Sequence, residues 1–286
     1  MRLSVILPIC NAERFLAPLL NSLLSQTVSS EIVVIDSGST DGTLAIAAQF
    51  ADRIRLLQIP REAFDHGGTR DAALRQSSGD YVVFLTQDAL PVDKYSLENL
   101  LDAFSGPQIA AVYGRQIARP DAPAYEQLIR EFNYPSTGRV WCERDIPRYG
   151  IRAYFFSDTF SAYRRDAYEA AGGFDHPITS NEDMIMAAKL LHAGYSLAYT
   201  PVAAVWHSHR STLREDYRRH VLSGHVMQEY REHLSGAQAD AEGLRMVRFV
   251  VKGLLRRGQF GSIPVFLAHI FARLLGNRVG KGKKRL

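Results

Sequence analysis

Five ionisable residues stand in motifs spread through roughly the first 210 positions, each motif at the end of a predicted strand: Asp36 in VVIDSGSTDGT, Arg70 in FDHGGTRDAA, Asp88 in VVFLTQDALP, Asp183 in TSNEDMIMAA and His207 in AAVWHSH. A strand that ends in a polar residue aims it past the carboxyl edge of the sheet, where open α/β sheets bind ligands. Together these endings describe one site with partners for a base, for phosphates and for a metal. That set suits nucleotide-sugar chemistry.

Each motif also has an ordinary reading. Asp36 can accept the imide N–H of uracil or thymine, with Ser37 and Gly38 letting the backbone approach a nucleotide; as a helix-start motif, Ser, Thr and Asp serve as caps. Asp41 is expected to be such a cap. A dinucleotide-binding acid is disfavoured, because the first turn, Ile9-Cys10-Asn11-Ala12, lacks the glycines that fold needs. In His66-Gly67-Gly68-Thr69-Arg70, glycines ahead of a helix expose N–H groups to phosphate and the arginine pairs with its oxygens; the alternative is a turn with a surface arginine. Gln87-Asp88 stands where an Asp-x-Asp pair would hold Mg²⁺ or Mn²⁺ through hard oxygen ligands, with one of the two acids present. Glu182 and Asp183 open a helix, where acids complement the dipole, and adjacent helical positions diverge by about 100°, so one of the two is expected to face a site. His207 and His209 alternate onto one face of an extended segment, where a carboxylate and a metal make them ligands. No cysteine converges with them, which argues against structural zinc.

The elements that must place these residues follow from apolar spacing. Strands are predicted at Leu3–Pro8, Glu31–Ile35, Arg55–Ile59, Tyr81–Leu85, Ala110–Gly114, Phe160–Tyr163, Leu197–Tyr199 and Val202–Trp206, and helices at Phe15–Leu24, Leu44–Phe50, Thr69–Gln76, Tyr95–Phe104, Arg165–Ala171 and Asn181–Ala193. The alternation predicts a mostly parallel sheet covered by helices. Residues 118–156, rich in Pro, Arg and aromatics, resist assignment. Thr212–Leu275 reads as helical, broken at Gly258, Gly261 and Pro264.

A chain of 286 residues with 46% hydrophobic and 22% charged residues is an ordinary globular composition. The net charge of +4 is unevenly placed: from Gly243 onward there is no acid, while Arg245, Arg248, Lys252, Arg256, Arg257, Arg273, Arg278, Lys281, Lys283, Lys284 and Arg285 follow one another. Leu, Val and Phe between them suit an amphipathic helix on an anionic membrane surface. A nucleic-acid role lacks any accompanying motif and is not expected. Cys10 and Cys142 make neither a disulfide framework nor a metal spacing, which fits a reducing compartment. No apolar run reaches membrane-spanning length, and the first strand is no signal peptide. The expected location is cytoplasmic, peripheral to the inner face of the cell membrane.

The motifs in this order, VILPICNA, IDSGSTDGT, FDHGGTR, FLTQDALP, FSAYRRDAYEAAGGFD, SNEDM and HSH, make the chain resemble the family 2 inverting glycosyltransferases over roughly residues 1–235, and the pairing of F-x-HGGTR with TQDA resembles the bacterial rhamnosyltransferases. The resemblance implies a GT-A fold over residues 1–210, with a nucleotide-sugar half to about 115 and an acceptor half over 116–210, followed by a helical basic extension over 211–286. It implies nucleotide-sugar contacts from Pro8, Asn11, Asp36, Ser37, Gly38, His66, Gly67, Arg70, Gln87 and Asp88, a Mg²⁺ or Mn²⁺ ion on Asp88 and His207 with His209 beside them, and Asp183 as general base, with Glu182 the alternative. Asp158 departs from the pattern, since related sequences often carry Asn there. The implied reaction moves L-rhamnose from dTDP-L-rhamnose to a glycan or lipid-linked glycan in cell-surface polysaccharide synthesis, such as O-antigen. Readings left open are a UDP-hexose donor, a catalytically silent scaffold and a nucleotidyltransferase; a homodimer is also compatible with the chain.

Overall fold

The computed structural model describes residues 2–209, 211–234 and 240–282, and the tail residues Lys283, Lys284 and Arg285 lie outside them. The strands are β1 (Leu3–Ile9), β2 (Glu31–Asp36), β3 (Arg55–Gln58), β4 (Tyr81–Leu85), β5 (Leu90–Pro91), β6 (Ile109–Ile117), β7 (Arg139–Trp141), β8 (Phe160–Arg164) and β9 (Ser196–Trp206). The helices are α1 (Leu16–Leu24), α2 (Thr43–Ala48), α3 (His66–Arg75), α4 (Ser96–Asp102), α5 (Ala124–Asn133), α6 (Ile146–Tyr149), α7 (Arg165–Ala170), α8 (Glu182–His192), α9 (Leu213–Glu229), α10 (Asp240–Arg256) and α11 (Ser262–Gly282).

All these strands join one sheet, in the order β3-β2-β1-β4-β8-β6-β9-β5, with β7 on β9 beside that path. The half from β3 to β4 is parallel, as its βα alternation predicts. Beyond it the sheet is mixed: β8 runs antiparallel to both β4 and β6, while β6 and β9 are parallel. Strand alternation splits the core into two layers. Val5, Leu7 and Ile9 face α1 and α4 through Leu16, Leu20 and Leu97, and Ile6, Val33 and Phe84 face α3 and α8 through Ala73, Ile185 and Leu191.

Three elements differ from their prediction. The two short strands expected at 197–199 and 202–206 are one strand, β9, with a register shift opposite Gly114/Arg115 where it loops out without breaking. Helix α3 starts at His66, three residues early, because Asp65 caps it by accepting from Gly68 N at 2.6 Å. Pro264 lies inside the first turn of α11, where a missing N–H costs nothing, and the chain turns at Gly258, whose φ is +66°. In the C-terminal region, Gly224, Gly276 and Gly280 let the α9 and α11 backbones touch where any Cβ would collide. Between these helices the buried Asp216 accepts from His269 Nδ1 at 2.8 Å and Arg273 Nε at 2.9 Å. Among the described residues, no helix is long and apolar enough to cross a membrane.

Candidate active site

The ends of β4 and β9 bring Asp88, His207 and His209 together, with one ligand atom of each within 4.8 Å of the others. Asp88 Oδ2 is 3.4 Å from His207 Nε2 and 3.3 Å from His209 Nδ1. The protonation of His207 follows from its other neighbour. Gln116 Oε1 lies 2.8 Å from His207 Nδ1 and also accepts from Arg130 Nη1, a group that can only donate. That oxygen is therefore an acceptor, and His207 carries its proton on Nδ1. Burial then pushes His207 down to about 4, against the opposing pull of Asp88, so the ring is neutral near pH 7. The Nε2 lone pair consequently points at a carboxylate. Burial raises the Asp88 carboxyl, and any proton on His207 or His209 pulls it the other way, well below the usual carboxylate range. A lone pair and an anionic oxygen facing each other at 3.4 Å repel unless a cation sits between them, and that spacing is what two ligands of one ion adopt. The residues present therefore fit a divalent metal.

Gln116 and Glu126 are site residues that the sequence did not disclose. Gln116 orients His207, as outer-shell partners of metal-bound histidines do, and its amide nitrogen donates to Ser157 Oγ at 2.9 Å. It lies within β6 in no motif. Glu126 Oε1 accepts from His209 N at 2.9 Å and so fixes the loop that carries the second histidine. Arg119 Nη2 donates to Asp88 O at 3.0 Å.

The ends of β1 and β2 bring together the expected nucleotide-side residues. Pro8 lies in β1 opposite Ile35. Asn11, at φ +50°, donates its N–H to Ser39 Oγ and accepts from Thr40 N, both at 2.8 Å. Asp36 is buried and accepts from Gly38 N and Ser39 N at 3.1 Å each and from Ser39 Oγ, so its carboxylate shapes its own turn. Gly38 holds φ +73° in that turn. Ser37 Oγ is buried without a partner. Asp41 lies one residue ahead of Gly42, which occupies the cap position of α2, and accepts from Thr43 N at 3.1 Å. Gln87 is spent on β1: its oxygen accepts from Cys10 N at 2.8 Å and its nitrogen donates to Cys10 O at 3.2 Å. A carboxylate could not make the second bond, which accounts for an amide where an acid pair was sought. Asp88, Gln87, Arg119, Arg14 and Ser208 line a polar cavity of about 620 Å³.

The HGGTR motif is placed differently from its expectation. Gly67 and Gly68 lie within α3, not ahead of it; Gly68 N is taken by Asp65, and a Cβ on Gly67 would strike Asp175 O. Gly67 thus serves the packing of the 174–178 loop. Arg70 is 6% exposed, and its Nη1 is held by Glu182 Oε1 at 3.0 Å and His66 O at 2.8 Å. Its guanidinium is turned toward Glu182 and is not displayed at the surface for a diphosphate. His66 Nδ1 is 3.7 Å from the same Glu182 oxygen.

Glu182 and Asp183 divide as helical geometry requires, Glu182 toward Arg70 and Asp183 toward the 157–159 loop. Asp183 Oδ1 accepts from Met184 N at 2.7 Å and Oδ2 from Asp158 N at 3.3 Å. Both acids line a cavity of about 660 Å³ with His66, Arg70, Thr86 and Asp158. Burial, reinforced by Glu182 and Asp158, holds the Asp183 carboxyl well above the usual carboxylate range. The two clusters are stitched together, since Thr86 N, two residues before Asp88, donates to Thr159 O at 3.2 Å, next to Asp158. The result is a carboxylate among two imidazoles and, joined to it through the Thr86–Thr159 bond, a second carboxyl of raised proton affinity, a division that acid–base chemistry on a charged ligand can use.

Known proteins resemble the chain in sequence and fold. The glycosyl transferase family 2 model matches residues 4–172. The O-antigen chain rhamnosyltransferase RfbN of Salmonella typhimurium is 38% identical over 98% of this chain and 90% of its own length. WbaN of Salmonella anatum, also named an O-antigen chain rhamnosyltransferase, is 40% identical over 88% of this chain and 80% of its own. Among solved structures, the mannosyltransferase PcManGT from Pyrobaculum calidifontis in complex with GDP-Man and Mn²⁺ superposes with a TM-score of 0.67 at 20% identity, covering 97% of this chain and 87% of that one. Motif order, fold and sequence agree, and the chain belongs to glycosyl transferase family 2.

Proposed function

We propose that this glycosyltransferase moves L-rhamnose from dTDP-L-rhamnose to a hydroxyl of a glycan or lipid-linked glycan, with inversion, in the assembly of a cell-surface polysaccharide such as O-antigen. The support for the sugar is the two relatives named rhamnosyltransferases, each matching most of the chain. The observation that carries the mechanism is the pairing of the Asp88–His207–His209 cluster with Asp183 across a stitched strand end.

Asp183, with its raised proton affinity, removes the proton of the acceptor hydroxyl as that oxygen attacks the anomeric carbon. The bond to the nucleoside diphosphate breaks on the opposite face, and the diphosphate carries the electron pair away. Asp88, His207 and His209 would hold a divalent ion that, when bound, offsets charge on the departing diphosphate. Two imidazoles beside one carboxylate suit Mn²⁺ better than Mg²⁺, which prefers an all-oxygen shell. Glu182, paired with Arg70, steadies the helix start that presents the base. The acceptor half contributes a cavity of about 490 Å³ lined by Tyr113, Arg139, Trp141, Arg152 and Met184, whose rings and guanidinium groups suit a carbohydrate.

The helices α10 and α11 fit a role at an anionic membrane surface on the inner side of the cell. Leu267, Phe271 and Leu274 recur at helical spacing on α11, Phe260 stands in the turn before it, all four are exposed, and they adjoin the acid-free run of arginines and lysines. This would hold the enzyme near a lipid-linked acceptor.

The test is slow transfer of the donor sugar to water, which needs no acceptor. Asp183→Asn should cut that turnover about 10²–10⁴-fold while dTDP-rhamnose binding stays within twofold. Near-normal turnover in the variant would remove Asp183 from the role of base.

A further inference from the structure

Among the residues lining the cavity that holds the base, three buried polar atoms have no partner: Thr86 Oγ1 and the charged pair Asp158 Oδ2 and Arg70 Nε. The surrounding bonds fix the charged two. Asp158 is 2% exposed, and its Oδ1 accepts from Ser161 Oγ at 2.6 Å and Tyr163 OH at 2.9 Å, which sets the plane of the carboxylate and leaves Oδ2 over. Arg70 has its Nη1 committed to Glu182 and His66 O, which leaves Nε over. Leaving such groups unsatisfied is costly, and native proteins do so mostly where a ligand or water completes the set.

Of the charged pair, one atom accepts and the other donates. A hydroxyl does both and so matches the chemistry of the pair, whereas a phosphate oxygen would be repelled by the carboxylate and an apolar group would satisfy neither. The place is also suited to the reacting sugar, because the backbone N–H of Asp158 is bonded to the Asp183 carboxylate. We propose that Asp158 Oδ2 and Arg70 Nε together hold one hydroxyl of the sugar being transferred, making Asp158 a determinant of donor-sugar specificity. This rests on the reading of the chain as a nucleotide-sugar transferase. An amide at this position would present a second donor where the carboxylate presents an acceptor. The shared hydroxyl also gives the half-spent guanidinium of Arg70 a contact with the sugar.

The experiment compares dTDP with dTDP-L-rhamnose and its 2-, 3- and 4-deoxy forms by calorimetry, on the full-length protein with Mn²⁺ present. In the wild-type protein one deoxy donor should bind about 10- to 100-fold more weakly than dTDP-rhamnose, because its absence strands both buried atoms, and the other two should bind within about threefold. In Asp158→Asn, which keeps the bonds to Ser161 and Tyr163, that deoxy penalty should shrink to a few-fold, with dTDP affinity unchanged. Equal weakening of dTDP and dTDP-rhamnose by the variant would overturn the proposal in favour of a structural role. So would a wild-type protein indifferent to all three deletions, a result that does not depend on the variant folding. Failure of wild-type protein to bind dTDP at all would instead refute the donor assignment on which the proposal stands.

Discussion

Replacing Asp158 by Asn should stabilise the protein at alkaline pH and do progressively less as the pH falls. Burial, partly opposed by Arg70, pushes the Asp158 carboxyl up to about 6 from an ordinary 3.8. A folded-state value above the unfolded one means that the protonated form is favoured by folding, so this contribution is fully present below pH 3.8 and lost as pH rises through about 6. The full loss is about 2 pKa units, or roughly 3 kcal/mol at 1.36 kcal/mol per unit. Most of it, about 2 kcal/mol, falls between pH 4.5 and 8 by the same linkage relation. Asn cannot ionise and can accept from Ser161 and Tyr163 through its carbonyl, so it escapes that loss. Urea unfolding of both proteins at pH 4.5, 6 and 8 measures the difference; charges remote from Asp158 cancel in the comparison, and Asp183, which the Asp158 charge helps to raise, adds to it in the same direction. The stability of the variant minus that of wild type should rise by about 2 kcal/mol from pH 4.5 to 8, or roughly 4–8 °C in Tm at 2–4 °C per kcal/mol. A difference constant across the three pH values would show that Asp158 is not a buried acid forced to ionise, and the reasoning would fail.

Other consequences can be checked separately. Gln116→Leu removes the acceptor that orients His207, and Mn²⁺ affinity by calorimetry should fall about 10- to 100-fold while the unliganded fold is retained; unchanged affinity would mean that Gln116 does not position the ligand. Because Asp183 is held above the usual carboxylate range, kcat/KM for donor hydrolysis should rise with pH through a value higher than that of an exposed aspartate, and a plateau already reached by pH 5 would contradict it. The double substitution Phe271→Glu with Leu274→Glu should abolish sedimentation with vesicles containing phosphatidylglycerol and leave donor hydrolysis in solution unchanged; undiminished sedimentation would refute the surface-helix reading.

Much of the first 115 residues was legible because β1, β2 and β4 are largely apolar runs ended by a motif, so Asp36 and Asp88 could be placed at strand ends without coordinates, whereas the two-residue β5 carries no such run. Strand direction was not, since an apolar run such as Phe160–Arg164 does not encode whether its neighbours run with or against it. The 118–156 stretch hid because its elements are short and draw on distant partners: three-residue β7 exists by pairing with β9, and α5 by packing Leu128 against Val250, Leu254 and Phe266. In the site, the Asp88–His207–His209 cluster was visible as residue types at strand ends. Gln116 was not, because one amide in a strand carries no spacing signal. The roles of Arg70 and Gln87 turned on which neighbours consumed their donors and acceptors, and that is fixed only by tertiary structure.

A metal-dependent nucleotide-sugar site specific for rhamnose is tested most directly by calorimetric titration of metal-stripped protein with dTDP-L-rhamnose, UDP-glucose, UDP-galactose and GDP-mannose, each with and without Mn²⁺. Binding of dTDP-L-rhamnose should require Mn²⁺ and be lost in Asp88→Asn. Tight binding of another donor in its place, or dTDP-L-rhamnose binding indifferent to Mn²⁺ and to Asp88, would contradict it.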